Sequence, residues 1–210
     1  VMVQEKLDEM HKKSSFSAGE GGEVISFSAK TLLCKKPDGS DLMQDPLTIF
    51  RYNGEENKTE FSILKNIVEW LCAIEDYAAT YGMKLRFVCA NLMGFEMRFM
   101  AQRCAILGVP MPRSGFSWMT SIYDRTRYFD VLDVWSFGDK TSRPSLDRLC
   151  RYLGVDTSKY DEAGRIDGSM VWPIWRDEGQ EGATRIAQYN ARDVRVLEPI
   201  FERIRMFTGE

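Results

Sequence analysis

Phe87-Val88-Cys89-Ala90-Asn91-Leu92-Met93-Gly94-Phe95-Glu96-Met97-Arg98-Phe99 changes its pattern twice. Leu85 to Ala90 is a short apolar run and reads as a buried central strand. Asn91 to Gly94 breaks the run, and a helix is expected from about Phe95 to Leu107, stopped by Gly108 and Pro110. Glu96 then stands in the first turn of a helix, where the helix dipole favours a carboxylate for purely structural reasons. It also stands at the carboxyl end of a strand, where open α/β sheets place their sites.

Upstream, Val24 to Leu33 alternates apolar and polar residues and predicts a strand, and Leu47 to Tyr52 predicts its hairpin partner. Pro37-Asp38-Gly39 between them is a turn signature, proline setting φ and glycine taking the positive-φ position. Leu64, Ile67, Val68, Leu71, Ile74 and Ala78 recur at helical spacing and predict a helix from Phe61 to Tyr81, with Gly82 as its stop. The polar residues 1–23 read as an arm, and residues 24–210 as a single domain.

Downstream, residues 109–127 look irregular; with Arg113, Arg125 and Arg127 they read either as a substrate-side loop or as a plain surface connection. Tyr128 to Val134 predicts a short strand, and Ser145 predicts the cap of a compact helix ending at Gly154. The last helix is expected from about Thr184 to Met206. Strand-strand-helix-strand-helix followed by further helices predicts one sheet with helices against it, an α/β or α+β layered domain.

Composition narrows the chemistry. A single histidine, His11, rules out histidine-rich metal sites, so carboxylates must carry any reaction. Five widely spaced cysteines without a CxxC pair read as buried thiols of a cytoplasmic or other reducing intracellular compartment. No apolar run approaches the roughly 18 residues of a membrane span, which predicts a soluble chain without a membrane partner. The chain opens at Val1 without an apolar signal segment, and that start fits a removed N-terminus. The net charge of −3 gives no global attraction for nucleic acid. Arg143, Arg148 and Arg151 form one local basic cluster and Arg98 with Arg103 another; solvated helix faces are the favoured reading of both, phosphate contacts the alternative.

Tyr189 and Asp193 in the last helix are four residues apart and share a face. By spacing alone they read as a tyrosine on the core edge beside an exposed aspartate. In a site, the same pair would bind a cation and orient a water.

The order of these stretches adds a resemblance. Phe87 to Phe99 resembles the second motif of the DEDD exonucleases, and Tyr189-Asn190-Ala191-Arg192-Asp193 resembles their third motif in its tyrosine form, Tyr-x-x-x-Asp. Tyr128 to Asp133, Ser145 to Gly154 and Asp167 to Trp172 are similar to intervening steps of the predicted 3′-5′ exonucleases related to the proofreading domain of family B DNA polymerases. The resemblance covers roughly residues 24 to 205. It implies an α/β, ribonuclease-H-like fold, a mixed central sheet flanked by helices. It also implies hydrolysis of a terminal phosphodiester at the 3′ end of single-stranded DNA or RNA by two Mg²⁺ or Mn²⁺ ions. Asp193 and Glu96 would be metal ligands and Tyr189 would orient the attacking water. Asn91, Asp130 and Phe95 would stand on the substrate side, although fixing the strand-to-helix turn is the better reading of Asn91 and a structural role the alternative for Asp130. Trp135, Phe95 and Phe99 could stack on terminal bases, with core packing the better reading of the two phenylalanines.

Two features depart from that family. Its first motif, Asp-x-Glu, occurs nowhere in the chain; Glu5 stands near the expected place, or the strand lies upstream. Glu96 stands where the family has aspartate, and its extra methylene moves the carboxylate. The alternative function is therefore a nuclease-derived module that binds nucleic acid or protein within a larger assembly. An unrelated α/β domain with chance matches is the third reading.

Overall fold

The computed structural model describes residues 22–30, 47–50, 59–111, 126–157, 159–161 and 164–209. The polar arm with Glu5 and His11, the Pro37-Asp38-Gly39 turn, and Arg113 and Arg125 of the irregular stretch lie outside the described residues.

Strand β1 (Ser26–Ala29) pairs antiparallel with β2 (Leu47–Phe50), Ser26 opposite Phe50 and Ala29 opposite Leu47. Helix α1 (Glu60–Thr80) follows, with Thr59 Oγ1 accepting from the Ser62 N–H at 3.2 Å as its cap. Ile63, Leu64, Ile67, Val68 and Leu71 form its buried stripe, and each fully buried aliphatic side chain contributes roughly 1.5–3 kcal/mol.

Strand β3 (Phe87–Cys89) pairs parallel with β4 (Tyr128–Asp130), Phe87 opposite Tyr128 and Cys89 opposite Asp130. Between them come a π-helical turn over Leu92–Glu96 and helix α2 (Met97–Leu107). Met97, Met100 and Cys104 of α2 join the α1 stripe, Cys89 and Tyr128 in one apolar cluster.

β4 stops at Asp130, short of the expected Val134, because helix α3 (Val131–Trp135) starts there. The Asp130 carboxylate accepts from the N–H groups of Leu132 at 3.1 Å and Asp133 at 3.3 Å, which satisfies the first turn of a helix. Helix α4 (Leu146–Leu153) has the cap and stop read from the sequence: Ser145 Oγ accepts from the Arg148 N–H at 3.3 Å, and Gly154 is left-handed at φ 64°.

A small antiparallel pair, β5 (Tyr160–Asp161) with β6 (Gly164–Arg165), and a 3₁₀ turn over Gly168–Met170 lead into α5 (Val171–Thr208). Two helices meet end to end in this span: Gly179 (φ 55°, ψ −120°) is not helical and parts them, so the second begins near the expected Thr184, and the first, from Val171, is one the sequence reading did not contain. The far part of α5 packs Ile200 and Ile204 against Phe129, Val131, Leu132, Leu149 and Cys150. The near part packs Ile174, Ile186 and Tyr189 against Ile25 and Ile166.

The architecture is a mixed helix and strand arrangement built around one parallel strand pair. Among the described residues the strands form three separate two-stranded pairings and no single continuous sheet. No helix among the described residues is long and apolar enough to cross a membrane.

Candidate functional site

The turn after β3 is built by two residues. Asn91 takes the left-handed conformation at φ 73°, which asparagine tolerates better than most residues. Its carbonyl accepts from the Phe95 N–H at 2.9 Å. A Cβ at Gly94 would lie 2.0 Å from Asn91 Oδ1, so a side chain there would displace the Asn91 amide or open the turn. Asn91 Oδ1 also accepts from an Arg143 Nη at 2.7 Å. Asn91 therefore holds the turn together.

Asp130 is likewise tied into the fold, in keeping with the structural one of its two readings. It is only 4% exposed. Its Oδ2 accepts from Asn91 N–H at 2.8 Å, Leu92 N–H at 3.1 Å and Arg143 Nη at 2.8 Å, while Oδ1 takes the two α3 donors. These donors fill the carboxylate's acceptor sites. Asp130 thus ties the ends of β3 and β4 to each other and to α3. Arg143 reaches Asp133 as well, at 3.1 Å. It is half-buried and ion-paired, so the solvated-face reading fails for this arginine. The same reading fails for Arg103, which is buried against Glu60. It holds for Arg148 and Arg151, both exposed.

Beside this knot the turn presents Glu96. It begins α2 without making a side-chain cap hydrogen bond, so the structural excuse offered by its position is not used as a cap. Its surface is open to water, yet protein surrounds the carboxyl closely. Burial pushes its pKa up to about 7; Asp130 and Asp193 push the same way, while its own N–H and Arg143 oppose them. The open surface means that water screens part of this effect.

Tyr189 sits on α5 among Ile25, Ile166, Ile174 and Ile186, buried as its core-edge reading expected. Its phenol is not idle. Lys159 Nζ donates to the phenol oxygen and lies 4.5 Å from the ring centroid. The phenol donates in turn to Asp193, one helical turn on. Burial first, then Asp193, holds the Tyr189 hydroxyl far above the usual phenol range, so it stays protonated. Asp193 also raises the Cys150 thiol, which is pushed up to about 11 chiefly by burial. Asp193 is thus within electrostatic reach of Glu96 from the turn, Tyr189 on its own helix and Cys150 on α4.

The charge of Asp193 is thus felt both by Glu96, in the turn after β3, and by Tyr189 on its own helix. Phe95 is half-buried, with its ring 5.4 Å from that of Phe99, and Phe99 is in the core. Lys159 escaped the sequence reading, because a lone lysine in a polar stretch carries no periodicity. Arg143 was visible only as part of a charge cluster.

Cys89, Cys104 and Cys150 are buried, Cys72 is half-buried, and all four are unpaired thiols. Among the described residues no group of three or more His, Cys, Asp or Glu side chains is disposed to hold a metal ion. Compared with models of protein families, with curated proteins and with solved structures, the chain matches none.

Proposed function

We propose that the chain is a ribonuclease-H-like 3′-5′ exonuclease domain acting on single-stranded ends of DNA or RNA, with Glu96, Asp193 and Tyr189 as its working groups. The observation that carries this is the position of Asp193, which acts at once on the Glu96 carboxyl and the Tyr189 phenol. Groups far apart in sequence share one electrostatic environment, and such perturbed clusters mark functional sites.

The donor chemistry fits a hard cation. Carboxylate oxygens of Glu96 and Asp193 suit Mg²⁺ or Mn²⁺, which commonly take one or two carboxylates and fill their remaining positions with water and substrate phosphate. Such a cation supplies charge neutralisation at the phosphate and a more acidic water. A second cation needs further carboxylates, and Glu5 lies outside the described residues. Tyr189, always protonated, cannot serve as a base; it orients and donates. Lys159 holds the phenol from the far side and fixes its direction. Glu96 is a good ligand only when ionised, so cation binding should weaken as pH falls through about 7.

A binding module derived from a nuclease is the second reading. One observation favours it: the Lys159 ammonium already sits at the phenol beside Asp193, a resident cation in an acidic site. The test is release of labelled mononucleotide from 3′-labelled single-stranded DNA and RNA with Mn²⁺. The native chain should release label and Asp193→Ala should lose at least about 99% of that rate, the scale expected when a catalytic constellation is broken. No release by the native chain would leave the binding module.

A further inference from the structure

Helix α3 ends in a stop that glycine normally makes. The Phe137 N–H bonds Val134 O at 3.1 Å and the Gly138 N–H bonds Asp133 O at 2.9 Å, the paired bonds of a Schellman turn. The residue after the cap must then take positive φ, and here it is Phe137 at φ 51°. A side chain there is strained. Burial of the ring could offset the strain, but Phe137 is 99% exposed. The fold gains nothing visible from this phenylalanine.

Two residues earlier Trp135 is also open to solvent, stacked on exposed Tyr152 of α4 with centroids 6.1 Å apart and planes at 26°. Arg148 lies one turn before Tyr152 on the same face of α4 and is exposed, as is Lys140 in the turn after Phe137. Two acids of this surface are ion-paired, Asp133 with Arg143 and Asp147 with Arg151, while Asp139 is held by the Thr141 N–H and hydroxyl at 2.8 and 2.7 Å and keeps its charge. What faces outward is aromatic rings with basic groups beside them.

We infer that the α3–α4 surface is a platform for single-stranded nucleic acid, with bases stacking on Phe137 and on the Trp135–Tyr152 pair and phosphates meeting Arg148 and Lys140. The choice of a nucleic-acid strand rests on the proposed function; the surface itself does not use Glu96, Tyr189 or Asp193. Its test needs no catalysis: fluorescence anisotropy of a labelled oligothymidylate with the full chain in EDTA.

Phe137→Gly should bind at least about fivefold more weakly, the loss expected of one stacked base, while its melting temperature stays equal or rises. Tyr152→Ala should also bind more weakly. Phe207→Ala, which removes an aromatic ring that is 85% exposed on the tail of α5, should bind as the parent does. Binding unchanged in Phe137→Gly and Tyr152→Ala, or no binding by the parent, overturns the inference. So does loss of self-association in place of oligonucleotide binding, which would give the surface to a second copy of the chain. A failed nuclease would show only in the Mn²⁺ assay and would leave this binding intact.

Discussion

At the scale of single residues, Glu96 has the clearest measurable signature. Its carboxyl is raised from 4.5 to about 7 in the folded chain. Between those values the folded state keeps a proton that the unfolded chain releases, so stability falls as pH rises across that window. Above it, the full cost of holding the charged form is present; below it, the cost is gone. Glu96→Gln should therefore stabilise the protein at pH 8 by on the order of 1 kcal/mol, after allowing for the water that reaches this side chain. Thermal melts at pH 8 and pH 4.5 check this: the gain should vanish at the lower pH, and an equal gain at both would place its origin elsewhere. Tyr189 and Asp193 were legible as a pair because a spacing of four always puts two side chains on one helical face. Asp130 was not legible, since an aspartate ending a strand looks the same whether substrate or backbone N–H groups fill it. Lys159 left no trace in the pattern at all.

At the scale of elements, the turn between β3 and α2 decides where Glu96 points. Gly94→Ala would drive a Cβ to 2.0 Å from Asn91 Oδ1, inside any tolerable contact. Asn91 would have to give up its bond to Arg143, or the turn would have to reopen. A destabilisation of about 1–3 kcal/mol by urea unfolding is expected, together with a shift in the Glu96 titration; an unperturbed variant would show that the turn is looser than described. The strand, break and helix here could be read from sequence because asparagine and glycine punctuate the chain strongly. Val131 to Val134 could not, because an apolar run that short suits strand or helix equally. The Asp130 side chain, capping α3, made the choice. The short helix from Val171 to the kink at Gly179 was hidden in a polar stretch, while the helix after the kink was legible from its apolar spacing.

At the scale of the molecule, a buried ion pair joins parts that local patterns cannot connect. Glu60 at the start of α1 takes Arg103 Nε at 2.8 Å and an Arg103 Nη at 2.6 Å, and the same carboxylate accepts the Val24 N–H at 2.8 Å. The bond to Val24 fastens the chain before β1 to the α1–α2 pair. Glu60→Ala would leave a buried guanidinium and a backbone N–H without that acceptor and should cost about 3–5 kcal/mol. Chemical denaturation measures it; a loss under about 1 kcal/mol would mean the pair is solvated in the working protein. The mixed helix and strand class was visible from the order of elements, while the single sheet expected from it is not seen among the described residues, whose strands form three separate pairs. The long-range partners of Arg103 and Arg143 were not, because charge patterning describes a helix face and says nothing of what packs on it.

Mn²⁺ binding by titration calorimetry at pH 8 tests most directly whether the acids at 96 and 193 act as one site. Glu96→Gln and Asp193→Asn should each weaken binding by at least about tenfold, and the double variant should lose less than the product of the two. Wild-type affinity in both single variants, or strictly independent losses in the double variant, would contradict it.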